Sequence, residues 1–423
     1  MKKQVSIIGI GMDNDKSITI EAREAFEEAG LVIGARRLVE LFINGNSNGL
    51  EPIGDGKVTG FVSEESRKKY VFEYKSSEIV QIIRKFNEDK VAVLMSGDTG
   101  FYSGAKGLYE ELTESDEFNI IMYPGIASPV YLSSKIGIPW QDFKIVSLHG
   151  REDNISSYVA ANEYTFFLLD GTNTPHTICD NLLEYELAET FVYVGENLGG
   201  EGEVISSFSP VKIPDREFSK LSVCLVWNPG DLSIRETGIE DGRFKRGKVP
   251  MTKSEVRSVI LSKLKLKDDD ISWDIGCGTG SVSVEMALSS PEGTVYSVDK
   301  NREACELTLE NAKSFHCDNI CVIEGDVADV TASLPAPDVC FIGGSGGRMA
   351  QVVDRAFAIN PDVRIVITAV SLETLENAVG ILKGRGINPD IVQIAVTRTK
   401  SLGNYTMFDA ENPIFIISSI YRS

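Results

Sequence analysis

Trp273-Asp274-Ile275-Gly276-Cys277-Gly278-Thr279-Gly280-Ser281-Val282-Ser283 decides how the second half of this chain folds. Apolar, β-forming residues run into Asp-x-Gly-x-Gly-x-Gly and on into the helix-forming Val284-Glu285-Met286-Ala287-Leu288. The three glycines therefore sit on a strand-to-helix turn. Glycine allows positive φ and close approach of a ligand to the backbone, while the following helix offers unpaired N–H groups to a carboxylate. Spacing selects the ligand. A dinucleotide fingerprint, G-x-G-x-x-G, requires glycine at 281, but Ser281 stands there and the third glycine comes one residue early. Asp274 lies two residues before the first glycine, and Asp299 ends the next apolar run, Thr294 to Asp299. This pattern points to S-adenosyl-L-methionine (SAM), with Asp299 accepting the ribose hydroxyls, as the acid after the second strand does in nucleotide-binding α/β folds. A purely structural glycine turn is the competing reading. A second acidic turn directly after another apolar run, Glu324-Gly325-Asp326, weighs against it.

The chain has 423 residues, enough for two or three domains, and a globular composition, 42% hydrophobic and 25% charged. No apolar run approaches the ~18 residues that a membrane span needs. Met1-Lys2-Lys3 leads straight into a strand-like run without a signal-peptide pattern, so the expectation is a cytoplasmic protein away from membranes. The seven cysteines are an odd number with no C-x-x-C pair, which fits a reducing compartment and argues against a disulfide framework or a zinc site. A net charge of −20 argues against nucleic acid as substrate, because phosphate binding relies on clustered Lys and Arg. The charge is uneven: residues 1–240 carry 22 basic and 38 acidic groups, and residues 241–423 carry 20 and 24.

Strands and helices alternate along the first ~225 residues, which predicts an α/β fold in two lobes, about 1–115 and 116–228. Predicted strands fall at Val5–Gly9, Leu31–Gly34, Val91–Met95, Asn119–Tyr123, Lys144–Leu148, Thr165–Leu169, Phe191–Val194 and Leu221–Val226. Predicted helices include Ile20–Ala29, Ser76–Asn87 and Ser103–Leu112. Residues 229–250 carry turn formers and charges with little periodicity and read as a linker. Beyond it, Thr252–Leu264 reads as a helix opened by a capping box, Thr252-x-x-Glu255, and starts a second domain over 251–423. That domain is expected to be a Rossmann-like, mostly parallel sheet. Two late strands, Ile391–Arg398 and Ile414–Ile420, should form an antiparallel hairpin at its edge. The two halves share no sequence repeat.

Three N-terminal segments place glycine and small residues just after a strand: Gly9-Ile10-Gly11-Met12-Asp13, Ser96-Gly97-Asp98-Thr99-Gly100-Phe101-Tyr102-Ser103 and Tyr123-Pro124-Gly125-Ile126-Ala127-Ser128. In open α/β sheets ligands bind beyond the carboxyl ends of strands, so three such loops should converge on one cleft. In this order and at these separations they resemble the tetrapyrrole methylase family over most of residues 1–225. Within that family, Ser147-Leu148-His149-Gly150-Arg151 resembles the segment typical of members that methylate C-5 of a precorrin ring in cobalamin synthesis. The second half is similar to the class I SAM-dependent methyltransferases that act at C-15 of the same ring and decarboxylate an acetate side chain. That likeness rests on Gly247 to Arg257, Asp274 to Gly280 and Pro337 to Gly346.

The resemblance implies one SAM per domain. In the first, Gly97, Asp98, Phe101, Tyr102 and Ser128 would contact it, with Thr99 where the family often has proline. In the second, Gly276, Gly278 and Gly280 would line its methionine end, Asp299 the ribose and Asp326 the adenine amino group, with Thr252, Thr279 and Gly325 completing the set. Methyl transfer from a sulfonium needs alignment more than acid–base help, so no catalytic dyad is expected and none stands out. The substrate implied is a tetrapyrrole with many carboxylates. Arg243, Lys245, Arg246, Lys248, Lys253 and Arg257 crowd into fifteen residues before the SAM motif, and Arg243, Arg246 and Arg257 are candidate carboxylate anchors, as is Arg151. A solvated charged face explains the same cluster equally well. The glycines Gly343, Gly344, Gly346 and Gly347 would let backbone approach the macrocycle, or form a flexible loop. The resemblance also suggests a homo-oligomer. Competing functions are RNA or other small-molecule methylation, and a SAM-binding regulator without turnover.

Overall fold

A computed structural model describes residues 2–12, 14, 16–43, 50–53, 60–63, 68–150, 154–230 and 237–419. The first lobe runs β1 (Lys3–Gly9), α1 (Ile20–Glu28), β2 (Leu31–Gly34), α2 (Arg36–Ile43), β3 (Leu50–Ile53), β4 (Gly60–Ser63) and β5 (Lys69–Phe72). It continues with α3 (Ser76–Lys85), β6 (Lys90–Met95), α4 (Ala105–Thr113) and β7 (Phe118–Tyr123). Its strands order as β3-β4-β5-β2-β6-β1-β7, parallel from β5 to β7. The central strands are apolar on both sides, as a parallel sheet covered on both faces requires, with Val5 and Ile7 in one core and Ile8 in the other. β7 pairs with β1, so the strand assigned to the second half from sequence closes the first sheet, and the lobe boundary falls after Tyr123.

The second lobe holds α5 (Ser128–Ile136), β8 (Phe143–Ser147), α6 (Ser156–Ala161), β9 (Tyr164–Leu168), α7 (Pro175–Glu184), β10 (Phe191–Glu196), β11 (Val204–Phe208) and β12 (Ser222–Trp227). The order is β11-β10-β12-β9-β8, with only β8 and β9 parallel.

The second domain begins α8 (Ser254–Leu264), β13 (Ile271–Ile275), α9 (Ser281–Ser289), β14 (Thr294–Asp299), α10 (Arg302–Ser314), β15 (Ile320–Glu324) and α11 (Val327–Val330). It continues β16 (Val339–Ile342), α12 (Met349–Ile359), β17 (Arg364–Ala369), α13 (Leu372–Gly384), β18 (Asp390–Ile394), β19 (Thr397–Leu402), β20 (Tyr405–Ala410) and β21 (Ile414–Ser418). The sheet order is β15-β14-β13-β16-β17-β21-β18. The expected late antiparallel pair is present as β18–β21, with β21 inserted beside β17. Between them β19 and β20 form a separate two-stranded hairpin absent from the sequence reading, turning at Gly403 and Asn404.

Two local expectations change. The helix after the linker starts at Ser254 with no side-chain cap from Lys253, so the Thr252/Glu255 capping box does not form. Its first N–H is taken instead by Asp241 Oδ1, at 3.0 Å from Ser254 N. The segment read as a linker also belongs to the second domain from residue 237 onward: Ile239 and Phe244 are buried in its core, and Lys245 N–H bonds Asn311 Oδ1 at 2.8 Å.

Candidate functional site

The three N-terminal loops do converge. Gly11 and Gly97 exchange backbone hydrogen bonds at 3.1 and 3.0 Å. Asp98 accepts from Gly100 N–H through Oδ1 (2.8 Å) and from Gly125 N–H through Oδ2 (3.0 Å), tying the second loop to the third. A side chain at Gly125 would put its Cβ 2.2 Å from the Gly97 carbonyl oxygen and 2.8 Å from Gly11 N, so only glycine lets the three strand ends meet. The expected SAM contact Asp98 is therefore first a strut for the loops. Phe101 packs on the second lobe's core with Tyr102 edge-on to it at 5.2 Å, and Tyr102 is exposed at φ 45°. Ser128 stands at the first turn of α5.

Between the lobes these loops open onto a cleft of ≈ 590 Å³, within the size range of small-molecule sites. Gly11, Ser96 and Ser128 line it from the converged loops, and Leu168, Leu169, Leu198 and Val223 give it apolar walls. The ionisable groups that line it are Arg37, Lys220 and His149 together with the carboxylates Asp170 and Glu201. Neither Arg37 nor Lys220 stands out in the sequence, because each lies outside the glycine-rich motifs and only the fold brings it to the cleft. Arg37 donates to Ser96 Oγ at 3.0 Å. Beside His149, Asp170 accepts N–H bonds from Asn173, Gly150 and Thr172, which hold its carboxyl down at about 2. The fourth expected anchor, Arg151, lies outside the described residues.

In the second domain the strand-to-helix turn has the expected form. Gly276, Gly278 and Gly280 all have positive φ, at 76°, 59° and 72°. A Cβ on Gly276 would lie 2.2 Å from the Gly344 carbonyl oxygen, so the loops after β13 and β16 touch backbone to backbone. Gly343 and Gly344 donate to the Ile275 carbonyl at 3.0 and 3.2 Å. Asp299 Oδ2 accepts from Gly278 N–H at 3.2 Å, fixing the acid at the end of β14 against the turn. Thr279 is buried, and Asp326 caps α11 while lying 3.7 Å from Arg348. Beneath the turn Asp274 is fully buried; Ser283 Oγ donates to its Oδ2, and Oδ1 has no hydrogen-bond partner among the described residues. Burial pushes its carboxyl up to about 7. Next to this turn, Gly343 to Gly347, Thr368 and Glu373 line a second cleft of ≈ 370 Å³.

The proposed arginine anchors separate. Arg257 is wholly buried: Nε bonds Glu285 Oε1 at 2.6 Å, Nη1 bonds Asp241 Oδ1 at 3.0 Å, and Nη2 bonds the Ile239 carbonyl. It cannot meet a substrate carboxylate. Its work is to hold residues 238–254 onto the domain, and Glu285 also accepts from the N–H groups of Gly238 and Ile239. Arg246 turns back on the Asp241 carbonyl at 3.2 Å, and Arg243 lies over the Phe315 ring at 5.4 Å. Thr252 contributes its carbonyl to Arg257.

Comparison with known proteins accounts for both halves. Residues 4–209 match the family model of the tetrapyrrole (corrin/porphyrin) methylases, and residues 243–420 match that of the precorrin methyltransferase domain. A probable cobalt-precorrin-6B C(15)-methyltransferase (decarboxylating) from Pyrobaculum calidifontis is 43% identical over 185 residues, 43% of this chain and 95% of that protein. A precorrin-6Y C(5,15)-methyltransferase (decarboxylating) from Sinorhizobium sp. is 26% identical over 416 residues, covering 97% of this chain and 94% of its own. Among solved structures, a precorrin-6Y C5,15-methyltransferase from Geobacter metallireducens is 38% identical over 43% of this chain and 94% of its own, with a TM-score of 0.41. With both domains matched in this order, the chain belongs to the decarboxylating precorrin-6Y C(5,15)-methyltransferase family.

Proposed function

We propose that the chain methylates a precorrin twice and decarboxylates it once in cobalamin biosynthesis: the first domain acts at C-5, and the second acts at C-15 with loss of the ring C acetate carboxyl. The observation that carries this reading is the presence of two separate glycine-lined clefts, each at the carboxyl ends of parallel strands, in one chain.

Both clefts fit SAM. Beside the second, the positive-φ turn at Gly276, Gly278 and Gly280 packs against the Gly343–Gly344 loop that lines the cleft, and it would hold the amino acid end. Asp299, fixed against this turn at the end of β14 with Gly325 N–H on its carbonyl, would take the ribose and Asp326 the adenine, with Thr252 and Thr279 as the further residues the resemblance implies. In the first, Ser128 lines the cleft itself, and Gly97, Asp98, Phe101 and Tyr102 stand on the converged loop beside it and would hold the donor. When bound, SAM supplies a methyl group on an already cationic sulfur. What the protein adds is alignment and dryness, and holding two reactants in attack geometry is worth about 7–11 kcal/mol. The leucines and Val223 of the inter-lobe cleft exclude water, while Lys220, Arg37 and His149 face the carboxylates of the tetrapyrrole. Decarboxylation breaks the bond from the acetate carbon to its carboxylate: the electron pair passes into the conjugated ring, CO2 leaves, and the carbon takes up a proton. The ring is its own electron sink, so the protein need only hold the acetate against the Gly343–Gly347 loop.

The reading extends to two further points. The β19–β20 hairpin exposes Leu402, Tyr405, Met407 and Phe408, an apolar surface in keeping with a homo-oligomer. All seven cysteines are free thiols, in keeping with action in the cytoplasm. Incubation with methyl-13C SAM and precorrin-6B, or its cobalt form, tests the proposal. It expects labelled methyls at C-5 and C-15 by NMR and a mass loss of one CO2, and a product labelled at neither carbon would overturn it.

A further inference from the structure

Asp318 belongs to the second domain, on the turn between α10 and β15, yet its carboxylate closes the N-terminus of α6 in the first. Oδ2 accepts from the N–H groups of Ile155 at 2.6 Å and Ser156 at 2.7 Å. Oδ1 accepts from Ser157 N–H at 2.9 Å and Ser157 Oγ at 2.6 Å. The first N–H groups of a helix lack partners within it, and an Asp, Asn, Ser or Thr at the N-cap normally supplies one. In α6 that position is Ile155, which has no side-chain oxygen. Asn181 Oδ1, in the first domain, shares Ser156 N–H at 3.1 Å, whereas the acceptor for the N–H groups of Ile155 and Ser157 comes from 163 and 161 residues away along the chain. Further contacts cross the junction, among them Asn154 Nδ2 to the Pro291 carbonyl at 2.8 Å, His316 Nδ1 with the Tyr185 carbonyl at 2.6 Å, and the ion pairs Lys144–Glu292 at 2.7 Å and Lys313–Glu184 at 3.1 Å.

What α6 supports is the wall of the inter-lobe cleft. Ile155, Tyr158 and Val159 pack in one core with Leu148 and Leu169. The residues that follow these two leucines, His149 and Asp170, line the cleft, and Asp170 holds Gly150 N–H at 2.8 Å. A close-packed interior passes a helix displacement on to whatever packs against it. We propose that Asp318, a residue of the C-15 domain, is a positioning residue for the C-5 site, its clasp on α6 fixing the His149–Asp170 wall against which the tetrapyrrole lies. This rests on reading the inter-lobe cleft as the site of C-5 methylation. The relative from Pyrobaculum calidifontis, of which 95% aligns with only the second 43% of this chain, is a protein without the first domain, so methylation at C-15 has no need of the clasp.

The test uses the full chain with Asp318→Ala and Asp318→Asn. Asparagine keeps one carbonyl oxygen and can retain the Ser157 pair of bonds while losing those from Ile155 and Ser156. Alanine should raise KM for the tetrapyrrole in C-5 methylation about tenfold, the size expected for a lost helix cap, and asparagine about threefold. In both variants kcat and KM at C-15 should stay at wild-type values, and hydrogen exchange at Ile155, whose N–H acceptor is Asp318, should quicken. An unchanged C-5 KM in a variant whose exchange protection is lost overturns the proposal alone, as does a parallel fall of C-5 and C-15 activity. Wild-type protein that methylates C-15 but never C-5 overturns the reading of the cleft, and the proposal with it.

Discussion

A guanidinium sealed from solvent must find its charges inside the fold, and Arg257 finds them in Glu285 and Asp241. Removing one partner of a buried pair strands the others, at a cost of about 3–5 kcal/mol. Arg257→Met should therefore lower the thermal transition of the second domain, seen by calorimetry, while C-5 methylation by the first domain persists at temperatures below that transition. A substrate anchor would instead raise KM without moving the transition. Asp274 makes a pH-dependent prediction. Burial lifts its carboxyl from 3.8 to about 7, so the folded state binds the proton more tightly than the unfolded chain. Its stabilising effect is full in acid and is lost as pH rises from about 4 to 7. Asp274→Asn removes this dependence, and the melting temperature of the variant relative to wild type should climb between pH 5 and pH 8. A flat difference across that range would contradict the burial argument. Lys220 lines the inter-lobe cleft, and on the proposed reading it faces a substrate carboxylate: Lys220→Ala should raise the C-5 KM several-fold, as loss of one charge-assisted contact does, with kcat and the C-15 reaction unchanged.

Among the elements, the alternation of apolar runs with amphipathic ones made most strands of both parallel sheets legible, and the strand-end glycines marked the loops that converge. What escaped the sequence depended on contacts distant along the chain. The cap of α8 is Asp241, which bonds Ser254 across 13 residues, whereas the nearer Thr252 and Glu255 only look like a capping box. Arg257 reads from sequence as a ligand anchor or part of a solvated charged face, and is neither, because its partners, Asp241 and Glu285, lie 16 and 28 residues away. β7 was placed in the wrong lobe because pairing with β1 leaves no local signal. The β19–β20 hairpin escaped because it has no buried face: β20 is exposed at every position, so neither strand shows the alternation of a half-buried sheet. That exposure is the basis for a further prediction at this scale. Phe408→Asp with Leu402→Asp should shift the sedimentation coefficient toward that of a monomer, and a wild-type chain already monomeric would contradict the assigned role of the hairpin.

At the scale of the molecule, the proposed function puts two donor sites in one chain, with the Asp318 clasp between the second lobe and the second domain. The two sites can be disabled separately because each depends on a glycine with backbone pressed against it. At Gly125 the added Cβ meets the Gly97 carbonyl, and at Gly276 it meets the Gly344 carbonyl, both at 2.2 Å. The most direct test gives Gly125→Ala and Gly276→Ala proteins methyl-13C SAM and precorrin-6B, separately and mixed, and locates the labelled carbons by NMR. The account predicts that Gly125→Ala yields a decarboxylated product labelled at C-15 alone. Gly276→Ala should leave C-15 unlabelled and the acetate intact, and the mixture should restore label at both carbons. If either substitution abolished both methylations, or the mixture failed to restore them, two independent methyl-transfer sites in one chain would be contradicted.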